Sequence, residues 1–154
     1  MLAADRLTPI LDTMIPNGQI GLALDTPLDF LEPTPIGARI DEDFPQLNFG
    51  LGYDFNYIIN RTSDDLALAA RVSEPTTGRV MEVLTTEPGV QFYSGNFLDG
   101  HHVGKGGTAY QHRSGFCLET QHYPDSPNNP AFPTTVLRPG ETYRSTTVYR
   151  FSTE

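Results

Sequence analysis

Proline spacing sets the first limit on this chain. Pro9, Pro16, Pro27, Pro33, Pro35 and Pro45 all fall within residues 1–50. Each fixes φ and removes a backbone donor, so no long helix or central strand fits between them. The 154 residues include 13 prolines and 14 glycines, and the punctuation continues to the end of the chain, which excludes long helices throughout. Residues 1–50 are therefore expected to be irregular and loop-rich, with Leu7 to Met14 forming at most a helical turn. Asp41-Glu42-Asp43 lacks the alternating ligands and turn glycine of a calcium loop and is read as a solvated loop.

From residue 53 the pattern changes to a period of two. Phe55 to Ile59, Leu66 to Val72, Arg79 to Leu84 and Val90 to Tyr93 are strand-length runs rich in β-branched and aromatic residues. Turn residues separate them, at Asn60 to Asp65, Ser73 to Gly78 and Glu87-Pro88-Gly89. Two further strands are expected, Ser114 to Thr120 and a long Glu141 to Phe151. Short strands with turns at this spacing indicate an all-β antiparallel sandwich or barrel. The strand-rich part, 51–154, also carries two long connections, Leu98 to Arg113 and Gln121 to Pro133. Loops of that length in a compact domain are usually functional or disordered. A chain of this length forms one domain.

Charge and composition remove several classes of partner. Ten basic residues against 19 acidic give a net charge of −9. A nucleic-acid phosphate backbone or an acidic membrane surface needs a basic stripe that this chain lacks. No apolar run reaches the roughly 18 residues a membrane helix needs. The start, Met1-Leu2-Ala3-Ala4-Asp5-Arg6, has no basic and apolar leader pattern, and Cys117 is the lone cysteine. The expectation is a cytoplasmic protein.

Candidate chemistry concentrates on Gly115-Phe116-Cys117-Leu118-Glu119-Thr120-Gln121. Strand alternation puts Phe116 and Leu118 on one face and Cys117, Glu119 and Gln121 on the other. Glu119 is either a general base beside the Pro-rich loop or an outward carboxylate on a solvated face, and periodicity leaves both open. His101, His102, His112 and His122 show no metal-ligand spacing, so no metal site is expected. No nucleophile elbow or phosphate-binding glycine loop is present. Tyr53-Asp54, Gln91-Phe92-Tyr93 and Glu119 with Gln121 instead set carboxylates and amides beside flat rings. That combination suits a sugar, with bidentate acceptors for its hydroxyls and an aromatic face for its C–H side.

Longer motifs carry a resemblance. Gly52-Tyr53-Asp54, Thr85-Thr86-Glu87-Pro88-Gly89-Val90-Gln91-Phe92-Tyr93-Ser94-Gly95-Asn96, Gly115 to Ser126 and Leu137-Arg138-Pro139-Gly140-Glu141-Thr142-Tyr143 resemble the galactose mutarotase (aldose 1-epimerase) family. Ile15-Pro16-Asn17-Gly18 and Pro33-Thr34-Pro35-Ile36-Gly37 are similar to segments from the middle of its members. The resemblance implies a β-supersandwich and a cofactor-free interconversion of the α and β anomers of a free hexose such as galactose or glucose. It also implies that Glu119 is the catalytic base and that Asp54 and Gln91 bind sugar hydroxyls.

The same resemblance implies that residues 1–154 form a single partial domain, equivalent to the C-terminal half of a family member. The acid histidine, a second sugar-contacting histidine and an arginine belong to the other half, and no histidine here sits in their context. Phe55 stands where the motif commonly continues with His, and its expected effect is to remove a polar ring from the edge of the sugar site. Asn129 likewise stands where the Pro-rich loop commonly has His. Expected partners are the free hexose and either a second chain supplying the missing half or another copy of this one. The alternative is a non-catalytic carbohydrate-binding or interaction module that keeps the same contacts.

Overall fold

The structure, a computed structural model, describes all 154 residues. Eight strands form two antiparallel sheets, which bears out the expected all-β sandwich. Strands β1 (Arg6–Leu7), β2 (Gly21–Leu22), β3 (Asp54–Ile58), β6 (Gly89–Tyr93) and β7 (Cys117–Gln121) make a five-stranded sheet in the order β2-β1-β3-β6-β7. Strands β4 (Ala67–Glu74), β5 (Arg79–Thr85) and β8 (Thr147–Thr153) make a three-stranded sheet in the order β4-β5-β8.

The core lies between the sheets and is built by alternation along β3 and β6. Tyr53, Phe55 and Tyr57 are fully buried, with Phe92 beside them on β6. Phe30 meets Tyr53 and Phe92 edge-on, and the Tyr53 and Phe92 rings stack 5.3 Å apart. Both tyrosine hydroxyls find backbone acceptors, Tyr53 on Pro27 and Tyr57 on Leu28, which removes the cost of burying them. A bulge between Leu68 and Ala70 on β4 lets Ala69 and Ala70 both be buried.

The proline-rich start is more ordered than its spacing predicts. Leu7 to Met14 makes no helical turn. Leu7 is buried and pairs with Tyr57, while Ile10 bridges to Pro16 around a turn. A short helix, α1, spans Pro45–Gly50. Pro45 sits in its first turn, where the missing N–H costs nothing, and Leu51 ends it in the left-handed region with its N–H on the Leu47 carbonyl.

The last two strands are also shorter than expected. β7 begins at Cys117 rather than Ser114, because Arg113 adopts a positive φ and the Ser114 N–H closes a turn on Gln111. β8 begins at Thr147 rather than Glu141 and runs on to Thr153. Residues 143–146 are held instead by side chains of the β5–β6 turn, as described below. The connection Gln121 to Pro133 folds back over the sheet, where Tyr123 and Phe132 bury Ile58.

The two long edges of the sandwich are closed differently. On one edge the chain start changes sheets: Leu2 bridges to Ala70 of β4, and Arg6–Leu7 pair with β3. On the other edge side chains join β7 to β8. There the Thr120, Thr147 and Thr85 hydroxyls hydrogen-bond in a row and the Tyr149 hydroxyl donates to the Leu118 carbonyl. No helix is long and apolar enough to cross a membrane.

Candidate functional site

Because side chains alternate, the residues of β3, β6 and β7 that do not enter the core share the opposite face. Asn56 is opposite Gln91, and Gln91 is opposite Glu119; Asp54 is opposite Tyr93, diagonal to Gln91. Asp54, Gln91 and Glu119 thus meet in one hollow of about 360 Å³, together with Tyr93, Phe97, Gln121 and Pro124. The volume lies within the range of small-ligand sites.

The polar groups in the hollow are tied in sequence. The Gln91 amide donates to the Asp54 carboxylate at 2.7 Å, and Gln121 donates to the Gln91 carbonyl at 3.4 Å. Partial burial raises the Asp54 pKa, and the Gln91 hydrogen bond only partly offsets this. Glu119 is exposed on the free edge strand. Burial raises the Cys117 thiol pKa, and the neighbouring Glu119 charge adds to the effect, so Cys117 is a poor nucleophile. Tyr93 and Phe97 stack with ring centroids 6.2 Å apart, and the Phe97 N–H donates to the Tyr93 hydroxyl. Phe97 is 52% exposed and presents its ring to the solvent side of the hollow.

A buried polar clamp fixes the start of β3 against the end of β6. Ser94 accepts from the Tyr53 N–H, and Asn96 donates to the carbonyls of Gly50 and Tyr53. Gly52 has φ +130°, and a Cβ there would run into the Asn96 amide, so only glycine fits. At the other end of the face, the bare Gly89 backbone makes room for the Asn56 amide and the Tyr123 ring. These contacts set the register that brings Asp54 beside Gln91.

A second polar cluster lies at the foot of β6, outside the hollow. Glu87 is buried, its N–H donates to Thr85, and its carboxylate pairs with His122 at 2.7 Å and accepts from Tyr143. Burial alone would raise its pKa, but hydrogen bonds from Ser145, Tyr143 and His122 outweigh that and hold it below the usual carboxyl value. Thr86 completes the clasp, exchanging backbone and side-chain hydrogen bonds with Thr146. This is why residues 143–146 do not continue β8.

One sequence expectation changes here. Phe55 does not edge the hollow. It points into the core, with its ring 3.3 Å from where a Cβ on Gly50 would lie. His122 belongs to the Glu87 cluster. Asn129 braces its own loop by donating to Asp125. None of the four histidines lines the hollow: His112 contacts the Asn96 carbonyl, His101 pairs with Asp99, and His102 is exposed. No three His, Cys, Asp or Glu side chains gather as metal ligands. Sequence reasoning missed Phe97, whose one signal was an aromatic residue just beyond the Tyr93-Ser94-Gly95-Asn96 turn.

Comparison with known proteins gives a consistent result. The sequence profile described as Aldose 1-epimerase matches residues 1–150. The chain is 46% identical over 151 residues to galactose mutarotase of Homo sapiens, covering 98% of this chain and 42% of that protein. It is 35% identical over 155 residues to aldose 1-epimerase of Escherichia coli K12, covering 99% and 44%. A solved GalM/aldose epimerase homologue from C. elegans superposes with a TM-score of 0.82 at 27% identity, over 99% of this chain and 44% of that one. Galactose 1-epimerase from Lactobacillus acidophilus shares the fold, with a TM-score of 0.78 at 22% identity. The chain spans less than half the length of the curated relatives it matches.

Proposed function

The chain belongs to the aldose 1-epimerase family, and from that premise we propose that its outer-face hollow is the base half of a mutarotase site for a free hexose. Glu119 takes the proton from the C1 hydroxyl, while a separate acid protonates the ring oxygen. The C1–O5 bond breaks, the open aldehyde turns about C1–C2, and the reverse transfers close the other anomer with no net gain or loss of protons. Asp54 and Gln91 hold neighbouring hydroxyls, with the Gln91 amide already oriented by Asp54. Phe97 and Tyr93 offer a flat apolar surface to the C–H side of the ring.

The observation that carries this reading is the position of Glu119 directly across from Gln91, in the same hollow as Asp54. No histidine is among the lining residues to serve as that acid. A general acid or base typically contributes about 10²–10⁴-fold, so the lone chain should anomerise hexose far less well than a site holding both groups. Efficient catalysis then requires the part of the fold that the chain does not share with its relatives.

The absence of any imidazole from the hollow favours a second reading, a carbohydrate-binding module that keeps the contacts without the reaction. Polarimetry with freshly dissolved α-galactose or α-glucose separates the two, run beside calorimetry. Saturable rate enhancement lost in Glu119→Gln supports the base. Saturable binding with no acceleration, even when the missing part is supplied, supports the module.

A further inference from the structure

The three polar residues of the hollow are not held equally. Gln91 lies on β6, which is paired on both sides, and Asp54 starts β3 beside the buried clamp of Ser94 and Asn96 on Tyr53. Glu119 lies on β7, an edge strand whose main chain pairs with β6 alone. A strand paired on one side opens locally more readily than one paired on both. The group assigned to the C1 proton therefore stands on the least restrained backbone of the site.

Two side chains from the other sheet meet β7 on either side of this residue. The Tyr149 hydroxyl donates to the Leu118 carbonyl at 2.9 Å, and the Thr147 and Thr120 hydroxyls are 2.6 Å apart. Leu118 and Thr120 are the immediate neighbours of Glu119. Thr147 and Tyr149 are two apart on β8, so both leave the same face of that strand. Their own positions are firm. Thr147 pairs with Thr85 and Tyr149 with Val83, and both of these β5 residues are fully buried. The Thr85 hydroxyl also hydrogen-bonds Thr147 at 3.0 Å while accepting from the Glu87 N–H. A hydroxyl can donate once and accept twice, so Thr147 serves Thr85 and Thr120 at once.

We propose that Thr147 and Tyr149 are positioning residues for Glu119, two staples that lock the edge strand where its carboxylate reaches the sugar. Neither side chain lines the hollow, so each acts only through β7. The need for such staples is physical. A catalytic group must be held to within about 0.5 Å, and a misplacement of about 1 Å can cost about 10²-fold in rate. The proposal rests on the base assignment above, and its test separates the two.

The test compares Tyr149→Phe, Thr147→Val and Thr147→Ser in the 154-residue chain, each folded by circular dichroism. Calorimetry gives the affinity for galactose and glucose, and the side-chain resonances of Gln91 and Glu119 report on two parts of the hollow. Tyr149→Phe and Thr147→Val should each lower hexose affinity by roughly tenfold, the worth of one charge-assisted hydrogen bond. Thr147→Ser keeps the hydroxyl and should bind as the parent does. The sugar-induced shift of the Glu119 carboxyl carbon should shrink while that of the Gln91 amide still saturates; a general loosening would move both. Glu119→Gln alone should show a loss at least as large, and in that background neither staple variant should lower affinity further. Amide exchange should quicken across Cys117–Gln121 and not across Asp54–Ile58. Parental affinity in both staple variants, an equal loss in the Glu119→Gln background, or unchanged exchange across Cys117–Gln121 overturns the proposal. If Glu119→Gln binds hexose as the parent does, the base assignment itself is refuted and the positioning role falls with it, even where exchange shows both staples holding the strand.

Discussion

Glu87, in the turn that leads into β6, and Asp54, at the start of β3 beside the far end of β6, carry the same functional group, yet their surroundings differ in kind. Glu87 is buried among donors: its carboxylate is met by His122, Tyr143 and Ser145, and its pKa is held down. Asp54 has one donor, Gln91, and burial pushes its pKa up. Glu119, two strands from Asp54, projects from an exposed position into the same hollow. The Glu87 carboxylate holds three segments of chain together. The two in the hollow have acceptor capacity that the fold leaves free. Unfilled hydrogen-bonding capacity on a rigid face is what a ligand site requires.

The largest effect that sharpens this contrast is expected at Glu119. In an assembled site containing an acid, Glu119→Gln should slow anomerisation by about 10²–10⁴-fold. The same change should leave thermal stability within about 0.5 kcal/mol, because no fold contact depends on this exposed side chain. Rate and melting measured on one preparation check both halves. Glu87→Gln should behave in the opposite way. It weakens charge-assisted hydrogen bonds at a buried position, so chemical denaturation should show a loss of about 1–3 kcal/mol. Slower hexose turnover without that loss would move Glu87 into the site.

Acid titration separates the two carboxylates by sign. The Glu87 pKa is below its unfolded value near 4.5, so its stabilisation is complete above that value and disappears as pH falls through the folded pKa. The Asp54 pKa is raised above 3.8, so it costs stability at neutral pH and the cost is relieved on acidification through its folded pKa. Denaturation midpoints measured across pH 2–6 should therefore fall less steeply on the acid side in Glu87→Gln, and more steeply in Asp54→Asn. The smallest expected change is the neutral-pH stability of Asp54→Asn, a gain within about 0.5 kcal/mol. Its hexose affinity should still drop by roughly 10–100-fold with the loss of a charged acceptor.

The alternation of β3, β6 and β7 was legible in the sequence, and with it the shared face of Asp54, Gln91 and Glu119. The same period already separates Phe55 from Asp54. Placing Phe55 at the sugar site let a motif comparison override the strand pattern. The Glu87 cluster could not be read in this way. Residues 87, 122 and 143 come together only through the sheet pairing and the return of the chain to β8. The run from Tyr143 to Phe151 is free of proline and glycine, so nothing local marks where the cluster interrupts the strand. α1 was hidden by proline density, although a proline in the first turn is compatible with a helix.

Titrating a free hexose into the isotopically labelled chain tests the central claim most directly, because it needs no acid and no partner. The side-chain amide resonances of Gln91 and Gln121 report on the hollow itself. Saturable shifts of both, absent in Asp54→Asn at the same sugar concentrations, are the predicted result. Amide signals that stay fixed up to saturating hexose, or that move equally in Asp54→Asn, would contradict it.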